Sequence, residues 1–251
     1  MTRKAGICMT CAFTEEVVMA TNLNSVSYRR VYVWQWPVRL YHWVNALCVF
    51  ALIATGFLIG NPLSIWKSNE AYQQYWFGWV RFIHFAAAYI FFFNFLLRIY
   101  WGFVGNRFAK WQNFIPHTKA QGREILTVLK VDIAQAKLRG PISIGHNALA
   151  GITYFVSFLI FLFQAITGFG LYSSMSPSFF PRLFTWVVPL MGGDATVREW
   201  HHLFMWFFVV FTIVHVYLVA YHDHVESRGT VSSMLSGWKF VKEDAVKKED
   251  S

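Results

Sequence analysis

Apolar residues fall into four long blocks separated by polar connections, and a helix needs about 20 apolar residues in a row to cross a bilayer. The first block runs from about Leu40 to Gly60 (LYHWVNALCVFALIATGFLIG). Pro37 suits the start of that helix, where a missing N–H does no harm, and Asn61-Pro62 ends it. The second block runs from about Trp79 to Val104, the third from Asn147 to Tyr172 and the fourth from Trp200 to His222. Leu183–Met191 is apolar but too short to span, and Pro181 and Pro189 mark its edges. It reads as a cap on one membrane face. The pattern predicts an all-α membrane protein, a four-transmembrane-helix bundle.

The connections have their own patterns. Between the second and third blocks, 123–139 carries apolar residues at helical spacing with charges between them. This predicts an amphipathic helix lying on the membrane surface. The closing run KFVKEDAVKKEDS is rich in charge and is expected to lack fixed structure. The chain divides into an N-terminal tail (1–30), a membrane domain (31–225) and a C-terminal tail (226–251).

Composition sharpens the class. The chain is 56% hydrophobic, 20% aromatic and only 14% charged, whereas a soluble domain carries about a quarter charged residues. A net charge of +9 would invite nucleic acid, but no basic stripe is interleaved with aromatics in a soluble segment. The cations sit in the connections instead. Counting the N-terminal tail, the second connection and the C-terminal tail against the other two connections gives 17 Lys and Arg against 3. That asymmetry places both termini in the cytoplasm and the chain in an inner membrane. Glu15 and Glu16 interrupt any apolar stretch after Arg3 and Lys4, so the N-terminus does not read as a cleavable signal. Cys8 and Cys11 form a lone C-x-x-C without further zinc ligands nearby, and Cys48 reads as a packing residue.

Candidate chemistry rests on histidine. Ionisable residues inside spans are costly and usually functional. His42, His84, the doublet His201-His202 and His215 all lie in apolar surroundings, while Asp and Glu are absent from the span interiors. Missing span carboxylates and missing paired broken helices argue against a transporter. His201 and His215 are 14 residues apart, so they fall on one helix face about 21 Å apart along the axis. That separation suits two centres stacked across the bilayer rather than one zinc site. By depth, His84 matches His201 and His42 matches His215. Each pair can clamp one haem iron from both sides, which leaves no open position and suits electron transfer. His202 competes for the role of His201, His222 for that of His215, and His146 suits a cap or a quinone site. Histidines that only hydrogen-bond between helices are the bland alternative.

A repeated tetrapeptide accompanies them. Ala-Thr-Gly-Phe at 54–57 and Ile-Thr-Gly-Phe at 166–169 close the first and third blocks. Small residues there admit a neighbouring helix or a flat cofactor.

Several stretches resemble the cytochrome b subunit of membrane-bound nickel–iron hydrogenases. They are Trp36-Pro-Val-Arg-Leu-Tyr-His-Trp-Val-Asn, Arg81-Phe-Ile-His84, Arg198-Glu-Trp-His-His202 and Tyr221-His-Asp-His-Val-Glu-Ser-Arg-Gly-Thr-Val-Ser-Ser-Met. The likeness covers about residues 30 to 240, and cytochrome b subunits of formate dehydrogenases share it. It implies an electron-transfer subunit of a hydrogen:quinone oxidoreductase, whose hydrogen chemistry belongs to partner subunits. It further implies two haem b groups on His42, His84, His201 and His215. The implied partners are a periplasmic iron–sulfur small subunit, through it the nickel–iron large subunit, membrane lipid and quinone. Arg81 and Arg198 are expected to pair with haem propionates. A haem-free membrane anchor is the alternative in another class.

Overall fold

The computed structural model describes residues 28–62, 75–114, 148–226 and 229–242, together with 123 and 126. The expected amphipathic helix lies almost wholly outside the described residues, as do the cysteine pair at 8 and 11, His117 and His146.

Four long helices carry the fold: α1 (Trp36–Gly60), α2 (Trp76–Val104), α3 (Ala148–Ser173) and α6 (Asp194–Glu226). Each contains a stretch long and apolar enough to cross a membrane. Helices α1, α2 and α6 begin earlier than their apolar blocks because their first turns belong to the polar interface. The longest, α6, has 33 residues, about 50 Å at 1.5 Å per residue, which exceeds a hydrocarbon core of about 30 Å.

Helix α1 starts at Trp36 because Gln35 is extended (φ −63°, ψ 152°) and proline occupies the first turn. The Gln35 side chain then ties that start to the end of α2. Its Oε1 accepts from Trp101 Nε1 and from the Asn106 N–H, both at 3.0 Å. Inside the membrane, Asn94 Nδ2 donates to Asn45 Oδ1 at 2.7 Å and to the Tyr41 carbonyl at 3.0 Å. An unsatisfied amide in hydrocarbon costs several kcal/mol, so these bonds fix the register of α1 against α2. Helices α2 and α3 meet through aromatic rings, with Phe91–Phe161, Phe95–Phe161 and Phe95–Phe158 centred 4.2, 4.3 and 4.6 Å apart. Because α6 packs against both α1 and α3, the four helices close into a bundle.

The short apolar segment Leu183–Met191 holds one single turn, α5 (Val187–Leu190), and the residues just before it form another, α4 (Phe179–Arg182). Pro181 and Val187 are buried, and Phe180 packs on Tyr89, Phe92 and Phe169. The segment thus caps one end of the bundle, as its length and prolines predict.

The opposite end holds an element that the hydropathy pattern does not announce. Strand β1 (Tyr28–Tyr32) pairs antiparallel with β2 (Trp238–Lys242), with Tyr28 facing Lys242 and Tyr32 facing Trp238. Lys239–Lys242, expected to be part of an unstructured charged end, is strand instead. Helix α7 (Thr230–Ser236) leads into it, and Asp223 Oδ1 accepts from the Thr230 N–H. Trp43 Nε1 donates to the Met234 carbonyl at 3.1 Å, and Arg39 donates to that of Leu235. Val33, Trp34, Val38, Phe108, Ala109 and Val241 form a buried cluster beneath the sheet. Both flanking segments therefore lie together on one face of the bundle.

Candidate functional site

The histidines sit at two levels. His84 lies near the start of α2 and His201 near the start of α6, at the end of the bundle capped by α4 and α5. His42 lies near the start of α1, at the end closed by the strand pair, and His215 lies 14 residues beyond His201 on the same helix.

At the strand end, the rings of His42 and His215 face each other with centres 6.2 Å apart and planes inclined at 53°. Phe211, one turn before His215, stacks on it at 5.5 Å and 14°. Trp43 meets His42 edge-on at 5.1 Å. His42 Nδ1 is buried and has no hydrogen-bond partner among the described residues.

At the capped end, each imidazole is held by a threonine from a neighbouring helix. Thr55 Oγ1 lies 2.9 Å from His84 Nδ1, and Thr167 Oγ1 lies 2.9 Å from His201 Nδ1. Both threonines are buried, at 7% and 0% exposure, so the bonds are shielded from competing water. The glycine after each threonine makes room for a ring. A methyl at Gly56 would sit 3.8 Å from His84 Cε1 and 3.2 Å from Met205 Sδ, and one at Gly168 would sit 3.1 Å from His201 Cε1. Met205, one turn beyond His201 on α6, and His84, from α2, both lie against Gly56, which puts the two histidines at one level of the bundle. The two Thr-Gly repeats thus pack against one pair of histidines from two sides.

The second histidine of the doublet points elsewhere. His202 is exposed and rests against the end of α1, where a methyl at Gly60 would lie 3.0 Å from its Cε1. Its ring meets Phe57 edge-on at 6.3 Å. Consecutive helical residues diverge by about 100°, which separates the doublet onto two neighbours.

The arginines divide as well. Arg198 pairs with Asp194 one turn earlier, at 2.7 Å. Arg81 Nη2 donates to Met175 Sδ at 2.9 Å. Arg98, which the sequence marks only as a cation within a span, is 2% exposed. It sits among the rings of Tyr41, Trp111, Phe114 and Tyr154 at 5.1 to 6.0 Å.

The donor set fits a group bound by two imidazoles. Metal–imidazole bonds of about 2.0–2.1 Å on opposite sides of one ion put ring centres roughly 6 Å apart, close to the 6.2 Å between His42 and His215. Among the described residues no three of His, Cys, Asp and Glu converge on one point, so the arrangement suits paired axial ligands and not a zinc cage.

Sequence reasoning singled out the four histidines and noticed the tetrapeptide repeat. It did not connect the two. The hydroxyl of a Thr-Gly pair one helix away from a span histidine is the signal that would have joined them.

Four helices long and apolar enough to cross a membrane, carrying imidazoles at two levels, define a class of helical membrane protein. Within that class, the chain belongs to the prokaryotic cytochrome b561 family, whose model matches residues 33–237. A probable Ni/Fe-hydrogenase B-type cytochrome subunit of Azotobacter chroococcum mcd 1 is 42% identical over 218 residues, covering 85% of this chain and 90% of the relative. One from Cupriavidus necator is 41% identical over 221 residues, covering 86% and 90%. A probable Ni/Fe-hydrogenase 1 B-type cytochrome subunit of Escherichia coli K12 is 36% identical over 221 residues, covering 86% and 92%. These relatives are of the kind that the sequence motifs resemble.

Proposed function

We propose that this chain is a di-haem b-type cytochrome that anchors a periplasmic nickel–iron hydrogenase and passes its electrons to membrane quinone. The observation that carries the reading is that His42 and His215 face each other at one level of the bundle, with His84 and His201 together at another. His84 and His201 hold one haem and His42 and His215 the other. Bound there, haem would supply one-electron transfer.

The remaining residues organise that chemistry. His202, turned toward Gly60 and Phe57, is left out of the pair, which supports His201 as the ligand. Arg198 spends its charge on Asp194, so Arg81 is the stronger partner for a propionate. The names of the relatives support a hydrogenase as the partner, and the proposed donor within it is its iron–sulfur small subunit. The 17-to-3 distribution of cations supports cytoplasmic termini in an inner membrane. The His84/His201 end then faces the periplasm and the donor, and the His42/His215 end faces the cytoplasm, where quinone is reduced.

Dithionite-reduced minus oxidised spectra with pyridine-haem quantitation on the purified chain test the reading. Two haem b per chain are expected, with co-purification of the hydrogenase small subunit from native membranes. Folded protein free of haem would leave a passive anchor. Co-purification with a formate dehydrogenase would keep the cytochrome and change its donor.

A further inference from the structure

The two threonines at the capped end make bonds that fix more than position. Thr55 Oγ1 lies 2.6 Å from the Ala51 carbonyl one turn earlier, and Thr167 Oγ1 lies 2.8 Å from that of Phe163. A carbonyl oxygen only accepts, so each hydroxyl proton is committed to its own helix. The 2.9 Å contacts to His84 Nδ1 and His201 Nδ1 therefore require the imidazole to donate. Nδ1 carries the proton in both rings, and Nε2 is left with its lone pair, the form in which a neutral imidazole binds a metal.

We infer that Thr55 and Thr167 are positioning residues that hold His84 and His201 in the metal-binding tautomer and set the electron richness of the centre they ligate. This rests on the reading of His84 and His201 as haem ligands. A hydrogen bond from the far nitrogen of a ligating imidazole raises its basicity. Greater electron donation favours the oxidised metal, so the hydroxyls lower the reduction potential of that centre. His42 offers a contrast within the same bundle, because its Nδ1 is buried without a partner among the described residues. His42 thus lacks a support that His84 and His201 both have, and the repeated Thr-Gly step (55–56 and 167–168) supplies it. The Gly168 side of the arrangement also leaves no slack, since His201 Cε1 would be 3.1 Å from an added methyl.

The test replaces each threonine by valine, which keeps the shape and removes the hydroxyl, and by serine, which restores it. The full chain is purified with its haems. Redox titration then follows both centres, and transfer to excess apomyoglobin follows haem release. His42→Ala identifies which midpoint belongs to the capped-end centre. Thr55→Val and Thr167→Val are expected to raise that midpoint and to speed release from that centre by about 10- to 100-fold. The other haem serves as an unchanged internal reference, and Thr→Ser returns native values. If both midpoints and both release rates stay native in the double valine variant, the positioning role is overturned. Retention of both haems by His84→Ala would instead remove the ligand assignment itself, and the positioning role with it.

Discussion

His42 and His215 face each other at 6.2 Å between ring centres although they come from the first and last spanning helices. The pair depends on α1 and α6 packing side by side, which joins the beginning of the membrane domain to its end. Loss of either imidazole is expected to empty one centre and spare the other. His42→Ala and His215→Ala should each retain one haem of two, as should His84→Ala and His201→Ala, by pyridine-haem assay. His202→Ala should retain both. One haem in His202→Ala would mean that the doublet is used the other way round.

Glycine placement gives a second contrast. A methyl at Gly78 meets nothing within 4 Å, whereas one at Gly168 lies 3.1 Å from His201 Cε1. Alanine usually favours a helix over glycine by about 1 kcal/mol. Gly78→Ala should therefore be neutral or mildly stabilising in thermal unfolding. Gly168→Ala is expected to cost about 1–3 kcal/mol through overpacking and to release haem from the His84/His201 centre sooner. Equal haem retention in the two variants would count against the close fit.

The strand register is open to crosslinking. Arg30 stands opposite Phe240, with its guanidinium 4.4 Å from the Trp238 ring. In a background lacking Cys8, Cys11 and Cys48, Arg30→Cys with Phe240→Cys should form a disulfide under mild oxidation and migrate faster on a denaturing gel. Arg29→Cys with Phe240→Cys, whose side chains leave opposite sheet faces, should crosslink poorly. In intact cells a membrane-impermeant thiol reagent should spare both cysteines. Labelling from outside would reverse the proposed orientation.

Asn94 joins α1 to α2 through two bonds. Interhelical hydrogen bonds in membranes are worth about 0.6 kcal/mol on average and up to about 1.7. Asn94→Leu is expected to lower the unfolding free energy by an amount in that range while keeping two haems. A loss beyond about 3 kcal/mol, measured by denaturant titration, would mean that Asn94 carries more than register.

Much of this architecture is legible in the chain itself. Bilayer thickness imposes a length on every spanning helix, so 40–60 and 79–104 declare themselves, and Pro181 and Pro189 fix the cap as short. His84 and His201 are legible because an imidazole in an apolar run is conspicuous. Thr55 and Thr167 are not, because a threonine within a span more often bonds its own helix, and both also do so here. Whether a hydroxyl additionally meets a histidine depends on the rotation of the neighbouring helix, which hydropathy does not encode. The strand pair escapes notice for a related reason. Tyr28–Tyr32 and Trp238–Lys242 are five residues each, and neither alternates cleanly enough to announce a partner some two hundred positions away. The different surroundings of His201 and His202 likewise depend on the doublet's rotation against α1 and α3.

The pairing of Tyr28 with Lys242 makes the membrane domain nearly a closed loop of chain. A circular permutant follows from that closure. A short linker from 242 back to 28, with new ends opened within 115–147, would insert the third and fourth spans first and the first two afterwards. Each helix would keep its direction across the bilayer, because the cut falls after an even number of crossings. Such a permutant is expected to assemble both histidine pairs, making the order in which the ribosome delivers the helices dispensable to the finished bundle.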